Sequence, residues 1–144
     1  MTLYRAEGLA NFSVSSTTTG WTNVDSMVIN NISLAAGDVV RITFNGVYGL
    51  HIPSGNGGTG SLRYVLTGPA GTPMIPEIIL GENWIATDQM GSPYIAVYSV
   101  GADPSQLPPG NYSVQLSAIC YRVSNDTQLN INSPYYMWVE RIRS

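Results

Sequence analysis

Turn-forming residues interrupt this chain so often that no stretch of a dozen residues keeps a helical apolar period. What recurs instead are short runs rich in Val, Ile, Thr and aromatic residues, the pattern of strands rather than helices. Strands are expected at 11–16, 24–34, 39–48, 61–67, 75–80, 94–100, 111–123, 127–132 and 135–142. Between them, Ala36-Gly37-Asp38 reads as a tight turn and Gly68-Pro69-Ala70-Gly71-Thr72-Pro73 as another. The segment 101-GADPSQLPPG-110 is a proline-rich connection that no central strand tolerates. Eight or nine strands without a helix predict an all-β fold, a two-sheet antiparallel jelly-roll sandwich. A chain of 144 residues has the size of one domain with one core. The expected organisation is a short N-terminal arm over 1–12 followed by a single jelly-roll domain over 13–144.

Alternation indicates which faces are buried. In 39-VVRITFNG-46, Val40, Ile42 and Phe44 share one face while Arg41, Thr43 and Asn45 share the other, as in a half-buried strand. In 111-NYSVQLSAICYRV-123 the set Tyr112, Val114, Leu116, Ala118 and Cys120 points inward, yet Ile119, Tyr121 and Val123 make the opposite face apolar too. The same happens in 94-YIAVYSV-100 and 135-YYMWVERI-142. A strand that is apolar on both faces needs a second cover, and without helices the simplest cover is another subunit. Tyr94, Tyr98, Tyr121, Tyr135, Tyr136, Trp138 and Ile142 are therefore the expected subunit interface. Tyrosines scattered singly over a surface would be the alternative.

Charge points the same way. Only 10% of the residues are charged, against roughly 25% in an ordinary soluble domain. All six cations are arginine, and polarity comes from Asn, Ser, Thr, Gln and nine tyrosines. So weakly charged a surface has little protection against association. A net charge of −3 argues against nucleic acid, which requires a basic face. No run approaches the length of a membrane span, and the opening MTLYRAEGLANF lacks the apolar core of a secretion signal, so synthesis in a cytoplasm is expected.

The chemistry that the residues offer is sparse. Gly55, Gly57 and Gly60 fall as G-x-G-x-x-G, but a dinucleotide loop works by leading into a helix N-terminus, and here Ser61–Leu66 reads as a strand. The run is expected to be a loop joining two strands. The five Asp and four Glu are scattered; Glu77 and Glu82 flank an apolar strand and read as solvated charges rather than a glycosidase pair. One histidine and no lysine remove most nucleophile–base arrangements. Asn125, Asp126 and Asn130 are better explained as hairpin-turn residues than as calcium ligands. Cys120 stands alone inside an apolar strand and is expected to be a buried structural thiol. Four N-x-S/T sites, at Asn11, Asn31, Asn111 and Asn125, read as chance in a chain so rich in these residues. No catalytic, metal or cofactor site is expected. Trp21 and Trp84 lie near turns, where an aromatic surface can stack on a sugar.

With the strands in place, four pieces carry a family resemblance: 13-SVSSTTTGWTNVDSMVIN-30, 32-ISLAAGDVVRITFNG-46, 107-LPPGNYSVQLSAICYRV-123 and 133-SPYYMWVERI-142. Together they resemble the small jelly-roll modules of the tumour-necrosis-factor and complement-globular-head type found in tailed-phage virion proteins. The middle, 69–93, shows no match. The resemblance implies a homotrimer without catalytic activity, located in the virion, that decorates a capsid, serves as a head or tail accessory protein, or tips a fibre. The few residues before the first strand favour a capsid decoration (cement) protein over a fibre tip. Its arm, through Leu3, Tyr4, Leu9 and Phe12, would reach the major capsid protein or another virion partner. The alternative is a receptor- or carbohydrate-binding module for host attachment, using the loops at 50–60 and 84–92 with Trp21 and Trp84 on a host surface glycan.

Overall fold

The computed structural model describes residues 2–15, 17, 20–51, 58–69, 77–81, 88–101, 108–122 and 128–143, the side chains of 58–59, 77–81, 88–101 and 121–122 excepted. The strands in chain order are β1 (Thr2–Gly8), β2 (Phe12–Ser15), β3 (Thr22–Leu34), β4 (Val39–His51), β5 (Gly58–Thr67), β6 (Glu77–Gly81), β7 (Asp88–Gly101), β8 (Gly110–Arg122) and β9 (Gln128–Ile142). They form two antiparallel sheets. One has the order β1-β9-β4-β7, with β2 also pairing with β9; the other has the order β3-β8-β5-β6. The chain passes repeatedly from one sheet to the other, and the result is the expected jelly-roll sandwich.

The core lies where alternation places it. Val40, Ile42 and Phe44 from β4 and Tyr112, Val114, Leu116 and Ala118 from β8 are all buried in one core between the sheets. Leu62, Tyr64 and Leu66 extend this layer on β5, and Leu129, Ile131, Met137 and Val139 do so on β9. Each fully buried aliphatic chain of this kind contributes about 1.5–3 kcal/mol relative to exposure. Cys120 is buried at the end of the row on β8, as expected.

The turn before β4 is the tight one the sequence predicts. Gly37 takes the left-handed conformation (φ 85°), Asp38 N–H donates to the Ala35 carbonyl at 3.1 Å, and the Asp38 carboxylate accepts from Ala35 N–H at 2.8 Å. Asp38 is buried, so this reciprocal bonding satisfies groups that water does not reach.

Two expectations are corrected. Residues 1–12 are not a free arm: Thr2–Gly8 is β1, an edge strand paired with β9 from Thr2 opposite Arg141 to Gly8 opposite Tyr135. Ala6 and Gly8 are buried, Tyr4 packs against the core, and the following Phe12 is itself a core residue. The segment reads as an arm because its buried face, Tyr4-Ala6-Gly8, is small-residued and its other face carries Arg5 and Glu7. The two segments expected at 127–132 and 135–142 are one strand, β9, with the cis Ser133–Pro134 bond inside it.

That point in β9 belongs to a line of irregularities crossing the whole sheet. On one side, β1 ends and β2 begins around Leu9–Asn11, and Asn11 Oδ1 accepts from Ser133 N–H at 2.8 Å. On the other side, the β4–β9 register shifts between Asn45 and Val47 and the β4–β7 register between Val47 and Gly49. Bulges bend a strand and sharpen its twist. Here they line up across four neighbouring strands.

Candidate interaction surface

The face of the β1-β9-β4-β7 sheet turned away from the core is where the expected interface residues can be judged. On β9 the odd residues Tyr135, Met137 and Val139 go inward, so Tyr136, Trp138, Glu140 and Ile142 form the half-buried outer row. Tyr136 and Trp138, two apart on one strand, stack with ring centroids 5.7 Å apart and planes 24° from parallel. Arg5 of β1 lays its guanidinium over Tyr136, 4.9 Å from the ring centroid. One face of each ring is thus given to its neighbour, and Tyr136 is overlaid by a cation as well.

Beside this row, β4 contributes Val39, Arg41, Thr43 and Asn45, in register with Ile142, Glu140, Trp138 and Tyr136. Arg41 and Glu140 form a two-pronged pair, Nε to Oε1 at 3.0 Å and Nη2 to Oε2 at 2.6 Å. The bonds from Arg41 hold the Glu140 carboxyl below its usual value, against the opposing effect of burial. On the outer edge, β1 shows Leu3, Arg5 and Glu7, all exposed.

The expected interface residues separate into distinct groups. Tyr136, Trp138 and Ile142 lie together on the outer face. Tyr135 does not: it is 1% exposed and fills the core against Phe44, 6.4 Å between centroids. Adjacent strand residues point to opposite faces, so the pair Tyr135-Tyr136 cannot serve one surface. Tyr94 and Tyr98 occupy register positions opposite Gly46 and Ile42, and Tyr121 lies opposite Thr59 in the other sheet; their side chains are outside the described residues. Of the expected arm contacts, Leu3 and Leu9 are exposed, whereas Tyr4 and Phe12 are engaged with the core. Trp21 carries the Arg63 guanidinium over its ring at 4.4 Å, and Trp84 lies outside the described residues. The sequence reading did not anticipate Arg5, Glu7 or the Arg41–Glu140 pair. The first two follow from alternation in β1; the pair spans 99 residues and leaves no local signal.

Chemistry elsewhere is limited. Burial pushes the Cys120 thiol up to about 11, so it stays protonated at neutral pH. Gly60 lies within β5, so the glycine run ends in a strand and not at a helix N-terminus. Among the described residues, no three His, Cys, Asp or Glu side chains gather in a way that would hold a metal ion. No described helix is long and apolar enough to cross a membrane.

No protein-family model and no curated protein matches the sequence. Solved structures do. Over 99% of its length the chain is similar to a structure of the Gx strain of infectious bursal disease virus, at 13% identity and a TM-score of 0.59. The VP2 subviral particle of the same virus matches at 15% identity and a TM-score of 0.52, and its T13 viral particle at 13% and 0.52. This chain covers 32%, 38% and 36% of those chains, about a third of their length. At such identities the likeness is one of fold: the chain resembles the jelly roll contained in a virus-particle protein.

Proposed function

We propose that this chain is a non-enzymatic structural protein of a virus particle, which acts by self-association and by burying surface on its neighbours. The observation that carries the reading is the outer row of the first sheet. Tyr136 and Trp138 stand stacked, half-buried and next to Ile142 on a face whose remaining charges are largely paired. Aromatic residues flanked by a paired Arg are the composition of subunit contacts. The likeness of fold to particle proteins of infectious bursal disease virus supports the setting, and the low charge supports association.

In its finer form, the assembly is a homotrimer attached to the capsid as a decoration protein, or to a head or tail junction, in the virion of a tailed phage. The four sequence pieces that resemble such modules support this, and the partner is then the major capsid protein. Carbohydrate binding is the second reading: Arg63 lies over one face of the Trp21 ring, and Trp84 lies outside the described residues.

The test is the native mass by light scattering at micromolar concentration, for the wild type and for a Tyr136→Ala, Trp138→Ala double variant. An oligomer in the first and a folded monomer in the second is the expected result. A wild type that stays monomeric at every concentration overturns the reading.

A further inference from the structure

We infer that β1 pairs with β1 of a second copy, antiparallel and centred on Ala6, joining the two sheets into one. The inference rests on the self-association reading; the pair is two-fold, so it joins two copies and is not the contact that would build a three-fold homotrimer.

Three observations converge on this register. First, β1 is the end strand of its sheet, bonded to β9 on one side only among the described residues. Half of its backbone groups therefore face outward, where a strand from another molecule can use them. Second, its outward charges complement themselves. Pairing about Ala6 sets Arg5 opposite the partner's Glu7 and Glu7 opposite the partner's Arg5. Both side chains are accessible, 54% and 41% exposed, and their contact within one chain is a loose 3.8 Å. Tyr136 beneath Arg5 steadies the guanidinium on this side. Third, carried one residue past the end of β1, the same register brings Leu3 opposite the partner's Leu9. These are 57% and 76% exposed, two of the three large hydrophobic side chains standing exposed among the described residues.

Neighbouring registers fail. Centring on Arg5 sets Arg5 against itself, and centring on Glu7 does the same for Glu7; like charges directly opposite destabilise a strand pair. Centring between residues sets the outward row of one copy against the inward row of the other. Charges that only guarded the edge would repel their own copies; these two attract in one register and repel in the adjacent ones.

The test uses the full chain in two charge variants, Arg5→Glu and Glu7→Arg. Each alone puts like charges at both contacts and is expected to weaken self-association by roughly tenfold or more, with its circular dichroism unchanged. Mixed in equal amounts, the two variants restore complementarity and are expected to form a mixed complex at near wild-type strength. Leu9→Ser is expected to weaken the wild-type contact on its own. If the single variants associate as the wild type does, or if the mixture stays as two separate populations, the edge contact is overturned and self-association through another surface still stands. A wild type that never associates overturns both readings.

Discussion

Arg41 holds Glu140 by two parallel hydrogen bonds, 3.0 and 2.6 Å, across the central strand pair of the first sheet. These bonds favour the ionised carboxylate, so its folded-state pKa lies below the usual 4.5. A depressed carboxyl contributes stability above its unfolded-state value, and the contribution disappears as the pH falls through the folded-state value. The melting temperature of Glu140→Gln should therefore fall below that of the wild type at neutral pH, and the gap should close in acid below about pH 4. Thermal melts of both proteins across that range check this; a gap that stays constant removes the pair from the account.

Tyr135 and Tyr136 are neighbours with opposite tasks. Tyr135→Ala empties a core position and should cost about 3–5 kcal/mol in urea unfolding. Tyr136→Ala, on the outer face, should cost about 1 kcal/mol or less in the separated subunit while weakening assembly. Equal losses of subunit stability would mean that the faces of β9 are misassigned.

Asp38 is buried and accepts the Ala35 N–H. Asp38→Ala leaves that donor unpaired in the turn before β4 and should destabilise by about 1–3 kcal/mol. Chemical denaturation is the readout, and Asp38→Asn, which keeps an acceptor oxygen, should recover part of the loss.

Cys120 is buried and its thiol is pushed up to about 11. Labelling by a thiol reagent at neutral pH should require opening of the sandwich, so it should be slow in the native protein and accelerate steeply with urea. Immediate stoichiometric labelling of the native protein would show an accessible thiolate.

The sheets were legible wherever alternation was strict. Val40-Ile42-Phe44 and the row from Tyr112 to Cys120 announce their buried faces directly, and Gly37-Asp38 announces the turn between β3 and β4. Alternation weakens where a strand bends or pairs through small residues. Gly8 takes the place of an apolar side chain because a Cβ there would collide with the Tyr135 ring, so β1 lost the signal that would mark it as a strand. Pro134 reads as a strand end, although β9 continues through it. In β3, register shifts between Asn23 and Val28 and between Ile29 and Ile32 carry Ser26 and Asn31 at positive φ, inside a run that looks uniformly extended in sequence. The outer face was partly legible, since doubled apolar character marked Tyr136, Trp138 and Ile142. It was misjudged at Tyr135, because composition does not say which of two adjacent tyrosines points outward. Arg41–Glu140 and Arg63–Trp21 join distant residues and exist only once the strands are in register.

The line of irregularities through Asn11, Ser133 and Gly46 divides the pairing of the first sheet into two blocks. Tyr136, Trp138 and Ile142 all lie in the block that carries β1, while β2 and Gln128–Ile131 lie in the other. The aromatic row thus shares its block of backbone pairing with the edge strand and not with β2.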